Sequence, residues 1–157
     1  MLRVFAEYKR LNPDSMLWIV GEGDMKDDML ALANELGISN SIYWWGRRND
    51  VNRLMCGMDL LLQPSIFEGL GIVLIEAQAT GLPCVSSASV IPKEAEATQL
   101  LFLHDLSANL NSWAQLCYDV LQQASLNKSR NHIKIDSSYT IDKEALRLEN
   151  ILFKHQN

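Results

Sequence analysis

The sequence predicts an α/β fold: a parallel sheet of about five strands with helices on both faces. Two observations carry this. Short, unbroken apolar runs alternate with longer stretches whose apolar residues recur at helical spacing, and strands buried on both sides read in this way. Glycine or proline also closes nearly every run, punctuating strand from helix.

The elements follow in order. The amphipathic start MLRVFAEYKR has the pattern of a helix rather than of a signal peptide. Met16 to Val20 is a buried strand closed by Gly21-Glu22-Gly23. Asp24 is placed to cap a helix with Met29, Leu30, Ala33 and Leu36 on one side, and Gly37 suits its left-handed end. Ser41 to Trp45 forms the second strand, closed by Gly46. Asn49 or Asp50 caps a short helix that ends at Gly57. Asp59 to Gln63 is the third strand, stopped by Pro64, and residues 70–80 are helical, followed by Gly81. Pro83 to Ser87 and Leu100 to Leu103 are the fourth and fifth strands. A long helix covers Ser107 to Ala124, with Leu110, Trp113, Ala114, Cys117 and Leu121 on one face. Residues 125–140 are polar and read as a loop before a last amphipathic helix at Ile141 to Lys154.

Composition sets limits on function. A chain of 157 residues suits one domain. It is 48% apolar and 21% charged, as ordinary globular proteins are. The net charge of −5, with no Lys/Arg cluster larger than a pair such as Arg47-Arg48, argues against nucleic acid as a partner. No apolar run approaches the roughly 20 residues that span a bilayer. Cys56, Cys84 and Cys117 are scattered and form no CxxC, so they read as free buried thiols of a reducing compartment rather than a zinc site.

In open parallel sheets ligands bind beyond the carboxyl ends of the strands. The turn after Gln63 is the richest of these. It runs Pro64-Ser65-Ile66-Phe67-Glu68-Gly69-Leu70-Gly71-Ile72 and enters a helix that carries Glu76. The first amides of a helix lack internal partners and carry partial positive charge. Glycines at 69 and 71 leave them open to a diphosphate. Carboxylates only accept hydrogen bonds, so Glu68 and Glu76 suit the hydroxyls of a ligand with phosphate in its middle. The plainer alternative has Glu68 complementing the helix dipole and Glu76 as a solvated helix residue. Arg47 and Arg48 either contact nucleotide phosphate or form a solvated loop pair, and Lys93 and Glu94 either reach the ligand or start a helix. Glu22 reads as part of a tight turn, and Asp24 and Asp50 as caps. His104, His132 and His155 have no evident partner nearby in sequence and read as surface or satisfied histidines. Trp18, Trp44 and Trp113 read as core.

The run from Pro64-Ser65 through Glu68-Gly69-Leu70-Gly71 and Glu76-Ala77 to Gly81-Leu82-Pro83 resembles the Glu-seven-residues-Glu signature of glycosyltransferase family four. Ile19-Val20-Gly21-Glu22-Gly23, Tyr43-Trp44-Trp45-Gly46 and Met58-Asp59-Leu60-Leu61-Leu62 resemble other stretches of that family, in the expected order over about residues 16–87. Val90-Ile91-Pro92-Lys93-Glu94 resembles members that assemble capsule or exopolysaccharide.

The resemblance implies the carboxy-terminal, Rossmann-like half of a GT-B fold in a retaining, metal-free bacterial transferase. Its donor is a nucleotide sugar, with UDP the expected nucleotide, and its acceptor a growing surface polysaccharide or lipid-linked glycan. It implies that Glu76 binds the ribose and that Glu68, the catalytic residue, contacts the transferred sugar. Gly69, Leu70, Gly71 and Ile72 approach the phosphates and sugar, and Gly46, Arg47 and Arg48 lie near the base and phosphate. It implies a cytoplasmic enzyme, at most peripherally attached to the inner face of the cell membrane through the full-length protein. The family's Arg and Lys before the first helix have no match here, since Lys9 and Arg10 do not align with them. The expectation is a single-domain fragment, residues 1–157, lacking its first strand and the amino-terminal acceptor-binding domain and inactive by itself. A non-enzymatic nucleotide-binding or protein-interaction module is the alternative.

Overall fold

A computed structural model describes residues 1–126. The expected helix at Ile141 to Lys154 and residues 127–140 of the expected loop lie outside them. Among these residues five helices and five strands follow in order: α1 (Leu2–Leu11), β1 (Leu17–Val20), α2 (Lys26–Glu35), β2 (Ile42–Gly46), α3 (Val51–Cys56), β3 (Leu61–Gln63), α4 (Ile72–Ala79), β4 (Cys84–Ser87), β5 (Leu101–His104) and α5 (Leu110–Leu126). Short 3-10 turns precede β2 and β5, at Ser39–Ser41 and Lys93–Ala95. The expected elements are all present within these residues, and positions 125 and 126 continue α5 instead of opening a loop.

All strand pairs are parallel, but they form two hydrogen-bonded groups. β1 pairs with β2, and β3-β4-β5 form a second sheet with β4 in the middle. β4 is buried at all four residues. Its side chains alternate between two cores, as strand geometry requires. Val85 joins the cluster built from α1, α2 and α5, while Cys84 joins the cluster under α3 and α4. Helices therefore cover both faces. α1 lies against α5 through Leu2, Val4, Phe5 and Tyr8, which meet Trp113, Ala114, Cys117 and Val120. The buried stripe of α5 differs from expectation at one end: Val120 is inside, whereas Leu110 is exposed.

A cavity of about 780 Å³ separates the two sheets. Consecutive residues 16–21 line one side and consecutive residues 57–62 the other. Successive strand side chains point to opposite faces, so an unbroken run of lining residues marks the backbone edges of β1 and β3.

Two local features correct the sequence reading, and a third adds to it. Met25, not Asp24, precedes α2, with no side-chain cap. Asp50 does precede α3, but its carboxylate is occupied by Arg48 and caps nothing. The β1–β2 register skips one residue, Ile19 facing Trp44 and Val20 facing Gly46, so that Trp45 is bulged out. Gly46 completes the bulge at φ +63°, a conformation that favours glycine.

Candidate functional site

Pro64 has no N–H to continue the ladder, so β3 stops at Gln63. The Gln63 carbonyl then accepts from the Ser65 amide at 2.9 Å and from the buried Ser86 hydroxyl at 2.7 Å. This pins the start of the turn to β4. The turn carries Ile66 and Phe67 out into solvent and returns at Glu68. There the carboxylate is held from both sides. Gln63 Nε2 donates to Oε2 at 2.6 Å, and the Gly69 amide donates to Oε1 at 3.2 Å.

Gly71 begins α4 in the left-handed conformation, φ +72° and ψ +43°. A methyl group there would sit 3.2 Å from Leu74 Cδ1, 3.6 Å from Glu68 Cγ and 3.7 Å from Ala95 Cβ. Glycine is therefore required for both backbone and space. Nothing lies within 4 Å of a methyl group built at Gly69, so the approach to the helix is open. The first internal bonds of α4 come from Leu74 and Ile75, both to the Gly71 carbonyl, and no side chain caps the end. The amides of Ile72 and Val73 thus precede the helical ladder, and Ile72 is 62% exposed.

Glu76 lies on an exposed turn of α4, while Leu74, Ala77 and Gln78 on the other side are buried. Gln78 fastens the helix to the segment after β4. Its Nε2 donates to the Ala95 carbonyl at 2.8 Å and to the Leu74 carbonyl at 3.0 Å, and its Oε1 accepts from the Thr98 amide at 2.9 Å. The 3-10 turn bearing Lys93 and Glu94 is thereby set against the start of α4, where Ala95 faces Gly71.

Gly46, at the end of β2, leads into the arginine pair. Arg47 is exposed. Arg48 makes a two-toothed pair with Asp50, at 2.8 and 2.7 Å, and lies 5.2 Å over the Trp45 ring. The hydrogen bond from Arg48 holds the Asp50 carboxyl below its ordinary range, and the same bond raises the guanidinium. Arg48 is thus committed to Asp50, and Arg47 carries the less engaged charge.

Arg47, Arg48 and Glu76 line the cavity between the sheets. Glu68 does not line it; it stands with Gly71 at the start of α4. The same helix connects the two places, since Val73 also lines the cavity. Among the described residues no helix is long and apolar enough to cross a membrane.

Other single residues agree with expectation in part. Trp113 is buried, and Trp44 packs against the core. Trp18 is 37% exposed and meets Trp45 edge-on at 5.3 Å. His104 is a satisfied histidine, paired with the Ser112 hydroxyl at 2.8 Å. Cys84 and Cys117 are buried, but Cys56 is exposed. Sequence reasoning missed Gln63 and Gln78. Gln63 had a legible signal: a polar residue ending an apolar run at the ligand-facing end of a strand. Gln78 had none, because its partners lie 17 and 20 residues away.

The family model for glycosyl transferases group 1 matches residues 1–117. The chain is 27% identical over 146 residues to the UDP-Gal:alpha-D-GlcNAc-diphosphoundecaprenol alpha-1,3-galactosyltransferase of Escherichia coli, covering 90% of this chain and 37% of that protein. It is 41% identical over 78 residues to the lipopolysaccharide glucosyltransferase WaaG of Escherichia coli (strain K12), covering 50% of this chain and 21% of that one. The crystal structure of WaaG superposes with a TM-score of 0.74 at 25% identity, over 94% of this chain and 42% of that one. The chain thus spans well under half the length of these relatives.

Proposed function

The chain belongs to the group 1 glycosyl transferases, and from that membership we propose that it is the donor-binding part of a retaining transferase that uses a nucleotide sugar. The observation that carries this reading is the uncapped start of α4, open at Gly69 and flanked by a Glu68 carboxylate already held in place. The Ile72 and Val73 amides take the diphosphate; each such electrostatic contact is worth about 0.3–1 kcal/mol when exposed. Glu76 accepts from the ribose hydroxyls and Glu68 from the transferred sugar. Arg47 adds positive charge from the loop after β2. The reaction uses no metal, the charge of the leaving diphosphate being balanced by the amides that open α4 and by Arg47.

UDP is the proposed nucleotide because the galactosyltransferase it resembles is named for UDP-Gal. A lipid-linked surface glycan is the proposed acceptor, in line with the diphosphoundecaprenol and lipopolysaccharide in the names of both relatives. Work on such an acceptor places the protein at the inner face of the cell membrane, attached peripherally. The acceptor-binding half is proposed to come from the remainder of the relatives' length, and the cavity edged by β1 and β3 to be covered by it.

Calorimetric titration of the folded chain with UDP and GDP tests the reading. Binding of UDP in the micromolar-to-millimolar range is expected. A folded sample that binds neither nucleotide at millimolar concentration overturns it.

A further inference from the structure

Gln63 is not among the ligand-contacting residues of the site, yet its side chain is arranged for one task. It ends β3, where its backbone is fixed three ways: by parallel pairing with Ser86, by the Ser86 hydroxyl and by the Ser65 amide. From that rigid base Nε2 reaches Glu68 Oε2 at 2.6 Å. Its other amide atom, Oε1, is buried with no partner among the described residues. Turning the amide over would face Oε1 against a carboxylate that only accepts, so the carboxylate dictates the orientation and leaves Oε1 dry. A glutamine that merely filled space would gain by giving way to an apolar residue of the same length, since an unsatisfied buried acceptor is costly.

We propose that Gln63 is a positioning residue, which holds the Glu68 carboxylate in one orientation toward the donor sugar. The carboxylate is gripped by donors on both sides of the turn, Gln63 before it and Gly69 after it, so Glu68 meets the sugar already oriented. This rests on the reading of Glu68 as the sugar-facing acid.

The test has a ligand-free arm and a ligand arm, both on the full chain. Side-chain couplings measured by NMR report the Glu68 rotamer in the unsubstituted protein, in Gln63→Met and in Gln63→Glu. One rotamer is expected in the first and averaging in both variants, each of them folded. UDP and UDP-galactose are then titrated. Both variants are expected to bind UDP as before and to lose roughly tenfold in their preference for UDP-galactose over UDP, the loss of one charge-assisted hydrogen bond. In a Glu68→Ala background Gln63→Met should cost nothing more, because the two act as one unit. A Glu68 that keeps a single rotamer in both variants overturns the proposal, as does a loss that adds to that of Glu68→Ala. Failure of the unsubstituted chain to bind either nucleotide sinks the donor reading instead, and the rotamer measurement still decides Gln63.

Discussion

Glu68 and Glu76 share a residue type but not a setting. Glu76 is exposed and lines the cavity with the arginine pair, so truncating it removes a ligand contact and little else. Glu76→Ala is expected to weaken UDP binding by roughly tenfold, with the melting temperature within about 2 °C, because exposed substitutions rarely move stability by more than about 0.5 kcal/mol. Glu68→Ala should leave UDP binding in place and reduce the preference for UDP-galactose. Calorimetry and thermal melts on the two variants check both outcomes, and a large, equal loss of stability in the pair would return both glutamates to structural roles. The cysteines offer a second contrast. Burial pushes the Cys84 and Cys117 thiols up to about 12. The thiolate is the reactive form, so at pH 8 both remain protonated as well as enclosed. Iodoacetamide at pH 8 should label Cys56, which is exposed, and should reach Cys84 and Cys117 only after denaturation. Peptide mass mapping reads this out, and prompt labelling of Cys84 in the folded protein would contradict the packing of β4 under α4.

The start of α4 depends on one glycine more than on the other. Gly71→Ala forces an alanine into the left-handed region, at about 1–2 kcal/mol, and drives a methyl group to 3.2 Å from Leu74. An expected loss of about 1–3 kcal/mol in urea denaturation goes with weakened UDP binding, since the first amides must shift. Gly69→Ala meets open space and should cost well under 1 kcal/mol; equal losses at both positions would refute this account of the turn. These glycines also show what was legible beforehand. Gly37, Gly46, Gly71 and Gly81 all have positive φ and all mark ends or starts of elements that the residue order exposes. Strands came through for the same reason, being short apolar runs with local stops. Caps did not. An Asp before a helix chooses between its own amides and whatever cation the fold brings near, and Asp50 took Arg48. The bulge at Trp45 depends on how β2 pairs with β1, and the Gln78 clamp on residues beyond the next strand. The site was legible as a strand, turn and helix with two acids. The separation of Glu76, facing the cavity, from Glu68, at the helix start, required the packing.

At the scale of the whole molecule the two sheets are unequally supported. β4 is flanked by β3 and β5, and its four residues are buried between helices on both faces. Among the described residues β1 has one hydrogen-bonded neighbour, β2, while its other edge opens on the 780 Å³ cavity and Trp18 is partly in solvent. Local openings draw on regions with few buried contacts and exposed ladders, so the two sheets should not open together. Native-state hydrogen exchange at neutral pH is expected to rank the amides of Cys84–Ser87 slowest, exchanging only through global unfolding. Those of Leu17–Val20 should exchange at least tenfold faster, a difference of about 1.4 kcal/mol or more in opening free energy. The protection of β4 should fall with urea at the slope of global unfolding, and that of β1 at a shallower one, since a smaller area is exposed in each opening. Equal protection and equal slopes in the two strands would mean that α1, packed on α5, ties β1 into the main core strongly enough for the cavity to carry no energetic weight.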